Sequence, residues 1–135
     1  MSAFKDVYLI HERGGSPNGG VLKLKHALVP LIPGGARFLR YNYPHSDPSR
    51  PIEESVAALR CLAPPINALL IGIGVGGQVA AAFQAERHDL SVIGMTPRLS
   101  SDSFQVIARL INDGLDAPHL VGRIPAGIYL RRSRW

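Results

Sequence analysis

The chain has 135 residues, enough for one compact domain with its own core, and 46% of them are apolar, which excludes a disordered or fibrous protein. No apolar stretch approaches the roughly 20 residues that a membrane-spanning helix needs, the opening Met-Ser-Ala-Phe-Lys-Asp lacks the layout of a secretory signal, and the single cysteine, Cys61, excludes an internal disulfide framework, so a cytoplasmic protein is expected. The net charge of +5 gathers partly at Arg123, Arg131, Arg132 and Arg134; with no nucleic-acid motif beside it, it reads as a solvated strand end, and neither nucleic acid nor membrane is expected as a partner.

Five apolar runs alternate with helical stretches. Residues 5–11 form the first expected strand, followed by a helix over 20–31 with Val21, Leu24, Leu28 and Leu31 at helical spacing. Residues 37–43 form the second strand. A helix over 52–62 follows, with Glu53 and Glu54 in the first turn, where negative charge suits the helix dipole, and Cys61 as a small core residue. The third and fourth strands, 68–73 and 90–95, are nearly unbroken apolar runs, as strands buried on both faces are. Between them lies an alanine-rich helix over 77–87. A helix over 101–113, stopped by Gly114, precedes a fifth strand over 126–131. Tyr8, Phe38, Tyr41 and Tyr43 alternate along strands and read as packing residues. This alternation predicts a single α/β domain over 1–135, a three-layer sandwich whose five-stranded parallel sheet carries helices on both faces.

The most informative segment is Gly72-Ile73-Gly74-Val75-Gly76, where an apolar strand runs into glycines and then into a helix. It has the layout of the G-x-S-x-G nucleophile elbow with glycine in place of serine. Upstream, His11-Glu12-Arg13-Gly14-Gly15-Ser16-Pro17 follows the first strand, and Tyr41-Asn42-Tyr43-Pro44 closes the second. Together these blocks resemble the α/β-hydrolase superfamily, in particular its small serine-esterase-like members. The first block is similar to that family's H-G-x-G-G-S-P oxyanion loop, and 90–97 to its next strand and outgoing loop. The resemblance implies a minimal hydrolase core with strand order 2-1-3-4-5, and it maps Arg13 and Val75 onto the backbone donors of the oxyanion hole.

The departures from that pattern set the functional expectation. Gly74 has no side chain with which to attack a carbonyl. Glu12 stands where the family has glycine, and the chain ends at Trp135, about where the resemblance would put the triad acid. The expected protein is hydrolase-like and non-catalytic, acting by binding or assembly. No catalytic residue is assigned and no cofactor or metal is expected; His26, His88 and His119 show no metal-ligand spacing. Its ligand site is expected at the carboxyl ends of the strands, where His11, Glu12, Arg13, Gly14 and Gly15 meet Gly74, Val75 and Gly76. Helix N-terminal amides there would favour a small anionic or acyl ligand. Pairing of an exposed edge strand with a second copy is a further expectation.

Two alternatives stay open. The chain is a genuine esterase if Gly74 is an engineered replacement of a serine and the chain a fragment, or if another nucleophile serves, the candidate relay being Ser16, His45 and Asp47. Alternatively, Gly72-x-Gly74-x-x-Gly77 is a dinucleotide fingerprint, although Gly94, Met95 and Thr96 stand where its acidic residue belongs.

Overall fold

The computed structural model describes residues 2–98, 100–120 and 122–134; Trp135 lies outside them. Five strands, β1 (Asp6–Ile10), β2 (Arg37–Arg40), β3 (Leu69–Ile73), β4 (Ser91–Met95) and β5 (Ile128–Arg131), form one sheet in the order β2-β1-β3-β4-β5. Four α-helices intervene: α1 (Gly20–Leu28), α2 (Ile52–Leu62), α3 (Val75–Gln84) and α4 (Ser101–Asp113). No helix among the described residues is long and apolar enough to cross a membrane.

Side chains alternate across the sheet and divide the core in two. Val7, Leu9, Leu69, Ile71, Ile73, Ile93 and Met95 face α1 and α4, which contribute Val21, Leu24, Leu28, Ile107, Leu110 and Ile111. Tyr8, Ile10, Leu70 and Val92 face α2 and α3, which contribute Val56, Leu59, Val79, Ala80 and Phe83. The aromatic residues expected to pack do so: Tyr8 and Tyr43 are buried, with Tyr41 against them, and Phe38 packs on the opposite core.

The all-parallel sheet expected from the sequence is corrected at its last strand. β1, β2, β3 and β4 pair in parallel, but β5 runs antiparallel to β4, with Ile128 opposite Met95 and Arg131 opposite Val92. After α4 the chain does not enter the sheet directly. A stretch from Gly114, carrying one short 3-10 turn at Pro118–Leu120, leads to Gly127, whose carbonyl accepts the Thr96 amide (2.9 Å) beyond the end of β4. β5 therefore starts at the carboxyl edge of the parallel strands and runs away from it. Its first residues join that edge, and its arginines go to the opposite one.

Three smaller differences have local causes. α1 ends at Leu28 and gives way to a 3-10 turn over Val29–Leu31, because Pro30 has no amide to continue the α-helix. α3 begins at Val75 rather than 77 and ends at Gln84, so the glycines read as a turn are its first residues. Cys61 is exposed rather than in the core, because the buried stripe of α2 runs through Ser55, Val56 and Leu59 and leaves position 61 on the solvent side.

α3 lies unusually close to the sheet. A Cβ on Gly72 would fall inside contact distance of the Gly76 carbonyl and the Gly77 amide, and one on Gly76 would fall on the Ile10 and His11 carbonyls. Backbone thus packs on backbone, and nothing flexible is available to yield. Gly72→Ala and Gly76→Ala should each cost about 3 kcal/mol or more of stability, through forced backbone displacement. Urea unfolding checks this, and a loss below about 0.5 kcal/mol at either position would contradict the packing described.

Candidate functional site

The carboxyl edge collects the loop after β1, the β3–α3 turn, the residues after β4 and, because β5 is antiparallel, the start of β5. At its centre Gly74 adopts φ 57°, ψ −121°, a conformation closed to most side chains. Its amide donates to the Met95 carbonyl (2.8 Å) and its carbonyl accepts the Gly77 amide (2.9 Å), so the turn is pinned on both sides. This is a sharp strand-to-helix turn of the kind on which an elbow presents a nucleophile. There is room for a side chain: a Cβ would meet Glu12 Cβ at 3.6 Å and Pro97 Cγ at 3.7 Å, ordinary contacts. The position is open in space and empty in chemistry.

Beside Gly74 lies a cavity of about 350 Å³ lined by Gly74, Gln78, Met95, Thr96, Pro97, Gly127, Ile128 and Tyr129. None of these side chains is charged. Tyr129 stands opposite Gly94 in the β4–β5 register, and its ring occupies the space above Gly94, with the hydroxyl reaching over Gly77. Of these residues the sequence reading assigned only Gly74 to the site. Met95, Thr96 and Pro97 were accessible to it through the rule that ligands bind at strand carboxyl ends. Gln78 lies one turn into α3, and Gly127, Ile128 and Tyr129 reach the site only through the reversed direction of β5.

The loop after β1 is organised around two buried histidines. The His11 Nε2 accepts the Tyr43 amide (2.9 Å), which leaves Nδ1–H to donate to the Glu12 carbonyl (2.8 Å). The His45 Nε2–H donates to the His11 carbonyl (2.7 Å). Its Nδ1 then accepts the Ser55 hydroxyl (2.6 Å), while the Ser55 Oγ accepts the His45 amide (3.1 Å). Burial pushes the His45 pKa down and the Arg13 charge adds to this, while the bond to the His11 carbonyl and the Glu12 carboxylate oppose it. The network ties the β1 loop to the turn before α2 and to α2 itself. Ser55, inside an amphipathic stretch, carried no local sign of this role.

Ser16, His45 and Asp47 are not brought together. The Ser16 Oγ accepts the Asn18 amide (3.2 Å), and Asp47 Oδ1 accepts the Ser49 amide (3.0 Å) and hydroxyl (2.7 Å). Both ring nitrogens of His45 are engaged as described. The Arg13 guanidinium turns out of the site to donate to the carbonyls of Pro48 (2.7 Å) and Arg50 (3.3 Å). Gly14 donates to the His45 carbonyl (3.0 Å) and Gly15 to that of Glu12 (2.9 Å). Glu12 folds its carboxylate over Gly15 towards the start of α1: Oε2 lies 3.4 Å from where a Gly20 Cβ would stand. With no acidic residue in the first turn of α1 and no side-chain cap there, this carboxylate meets the positive end of the helix from outside it. Glu12 also lines a second, smaller cavity of about 190 Å³ with Lys23, Phe104 and Pro97.

Ser55→Ala should destabilise the protein by about 1–3 kcal/mol, since it strands a buried imidazole nitrogen and an amide. The Tyr43 hydroxyl is buried and makes no hydrogen bond among the described residues, so Tyr43→Phe should change stability by less than about 1 kcal/mol or raise it. His45 adds a pH dependence. Above 6.5, its ordinary pKa, the ring is neutral folded and unfolded. As pH falls through that value the unfolded chain binds a proton that the folded one resists, so stability drops by at most about 1.4 kcal/mol per pH unit. The carboxylates with lowered pKa, Asp47, Glu54, Glu86 and Asp89, lose their contribution only at lower pH, near and below the usual carboxylate range. Urea unfolding at pH 7.5 and 5.5 should therefore show a decline in the parent protein that His45→Gln reduces; an equal decline in both would refute this assignment.

Comparison with protein-family models, with curated proteins and with solved structures finds no match.

Proposed function

We propose that this chain is a non-catalytic binding protein on a hydrolase-like scaffold, and that its ligand is a small, uncharged acyl compound such as an ester or amide. The observation that carries this reading is the turn at Gly74, which has a nucleophile elbow's strand-to-helix layout but no nucleophile, at the mouth of a 350 Å³ cavity without charged lining. The first-turn amides of α3 supply donors for a carbonyl oxygen. The Glu12 carboxylate, close by and already set at the start of α1, disfavours an anion and so favours the neutral acyl group over the free acid. Among the described residues both buried histidines next to the site spend their ring nitrogens on structure, which leaves neither as a poised base for hydrolysis.

Two experiments test this. In an NMR titration, methyl butyrate should perturb the amides of Gly74, Val75, Thr96 and Gly127 saturably, with butyrate binding about tenfold more weakly. No shift at these amides with either compound would end the proposal. A fluorophosphonate probe should leave the intact mass unchanged, and Gly74→Ser should gain no hydrolysis of p-nitrophenyl butyrate. A stoichiometric adduct on any serine of the parent protein would restore the esterase reading.

A further inference from the structure

The reversed β5 carries the chain's C-terminal arginines to the amino edge of the sheet, away from Gly74. Gln84, the last residue of α3, is 3% exposed and acts there as a clamp. Its Nε2 donates to the carbonyls of Leu90 (3.0 Å), Arg131 (2.9 Å) and Arg132 (3.2 Å), and its Oε1 accepts Arg131 Nε (3.0 Å). The Arg134 amide donates to the His88 carbonyl (2.8 Å), which holds the following backbone beside α3. Among the described residues, Gln84, Arg131, Arg132 and Arg134 line a cavity of about 260 Å³.

Among the described residues the charge in this cavity is compensated only at Arg132. Arg132 Nε pairs with Asp116, and its Nη2 donates to the Leu115 carbonyl (3.2 Å). The nearby acids Glu86 and Asp89 are bound to Arg60 and Arg87. Arg131 is held through Nε, so its outer guanidinium nitrogens remain for a second partner, and neither Arg131 nor Arg134 meets a carboxylate among the described residues. Guarding of an edge strand by charge requires no buried amide behind it. Here a buried amide fixes the orientation of the Arg131 fork, and a fixed fork that shares a cavity with Arg134 suits a tetrahedral dianion, whose oxygens accept two guanidinium groups at once.

We propose that the cavity formed by Gln84, Arg131 and Arg134 is a binding site for a phosphate dianion, separate from the cavity at Gly74. The site takes free phosphate or the terminal phosphate of a small phosphomonoester. The test is an NMR titration of the full chain with inorganic phosphate, and in parallel with phenyl phosphate, acetate and a short DNA duplex, all at matched ionic strength. Saturable shifts of the Arg131 Nε–H and Gln84 Nε2–H signals are expected with both phosphates, with acetate at least about tenfold weaker. The double variant Arg131→Gln/Arg134→Gln should lose at least about tenfold in phosphate affinity while keeping the parent amide spectrum outside 84–90 and 128–134. Arg109→Gln, which removes one positive charge from α4 across the sheet, should bind as the parent does. Non-saturating shifts, equal affinity in the double variant and Arg109→Gln, or preference for the DNA duplex would each overturn the proposal. Response to phenyl phosphate without response to free phosphate would overturn the free ion as ligand and retain the ester.

Discussion

The contact on which the rest depends is that of α3 with the sheet, made by backbone against backbone. Gly72 admits the first turn of the helix, and Gly76 lies against the carbonyls of Ile10, the last residue of β1, and of His11 just after it. One of these, the His11 carbonyl, is also the acceptor for His45. A single layer of glycine contacts therefore sets the height of α3, the exit of β1 and, through His45 and Ser55, the position of α2. The conformational cost of helical glycines is outweighed only because no other residue permits this approach.

That approach also explains how the site combines a demanding backbone with modest chemistry. The Gly74 turn is held by its bond to the Met95 carbonyl and by the bond it accepts from the Gly77 amide, and these do not depend on any side chain at position 74. A turn fixed in this way keeps its shape without a side chain at its apex. Glu12 fits the same picture. Its carboxylate lies where a larger residue at position 15 would collide with it, so glycine at that position makes room for an internal anion at the start of α1. The site thus carries one negative charge of its own beside a cavity whose described lining has none.

The direction of β5 separates two chemistries within a few residues. Gly127, Ile128 and Tyr129 complete the cavity at the carboxyl edge, and Arg131, Arg132 and Arg134 surround Gln84 at the other end of α3. A parallel fifth strand would have put the arginines beside Gly74 and made that cavity cationic. Reversal keeps the neutral cavity neutral and gathers positive charge where no carboxylate of the lining offsets it.

Local pattern was enough for the elements themselves. Unbroken apolar runs placed β3 and β4 to within a residue, and α2 and α4 have the expected bounds, because apolar spacing and terminal signals are properties of the chain read residue by residue. The strand order followed from the resemblance, and the glycine turn at 74 from the segment itself. Strand direction was not legible, since Ile-Tyr-Leu-Arg alternates in the same way whichever way it runs; the path of residues 114–127 back to the carboxyl edge decided it. Nor were the roles of Ser55 and Gln84, each on one of two adjacent helices, because a buried polar residue on an amphipathic helix takes its meaning from the partner that folding brings to it. The sequence by itself determined which residues are apolar, which are glycine and where an apolar strand runs into a glycine turn. Tertiary structure alone decided which of them share an edge, because hydrogen bonds and cavities form between segments distant along the chain.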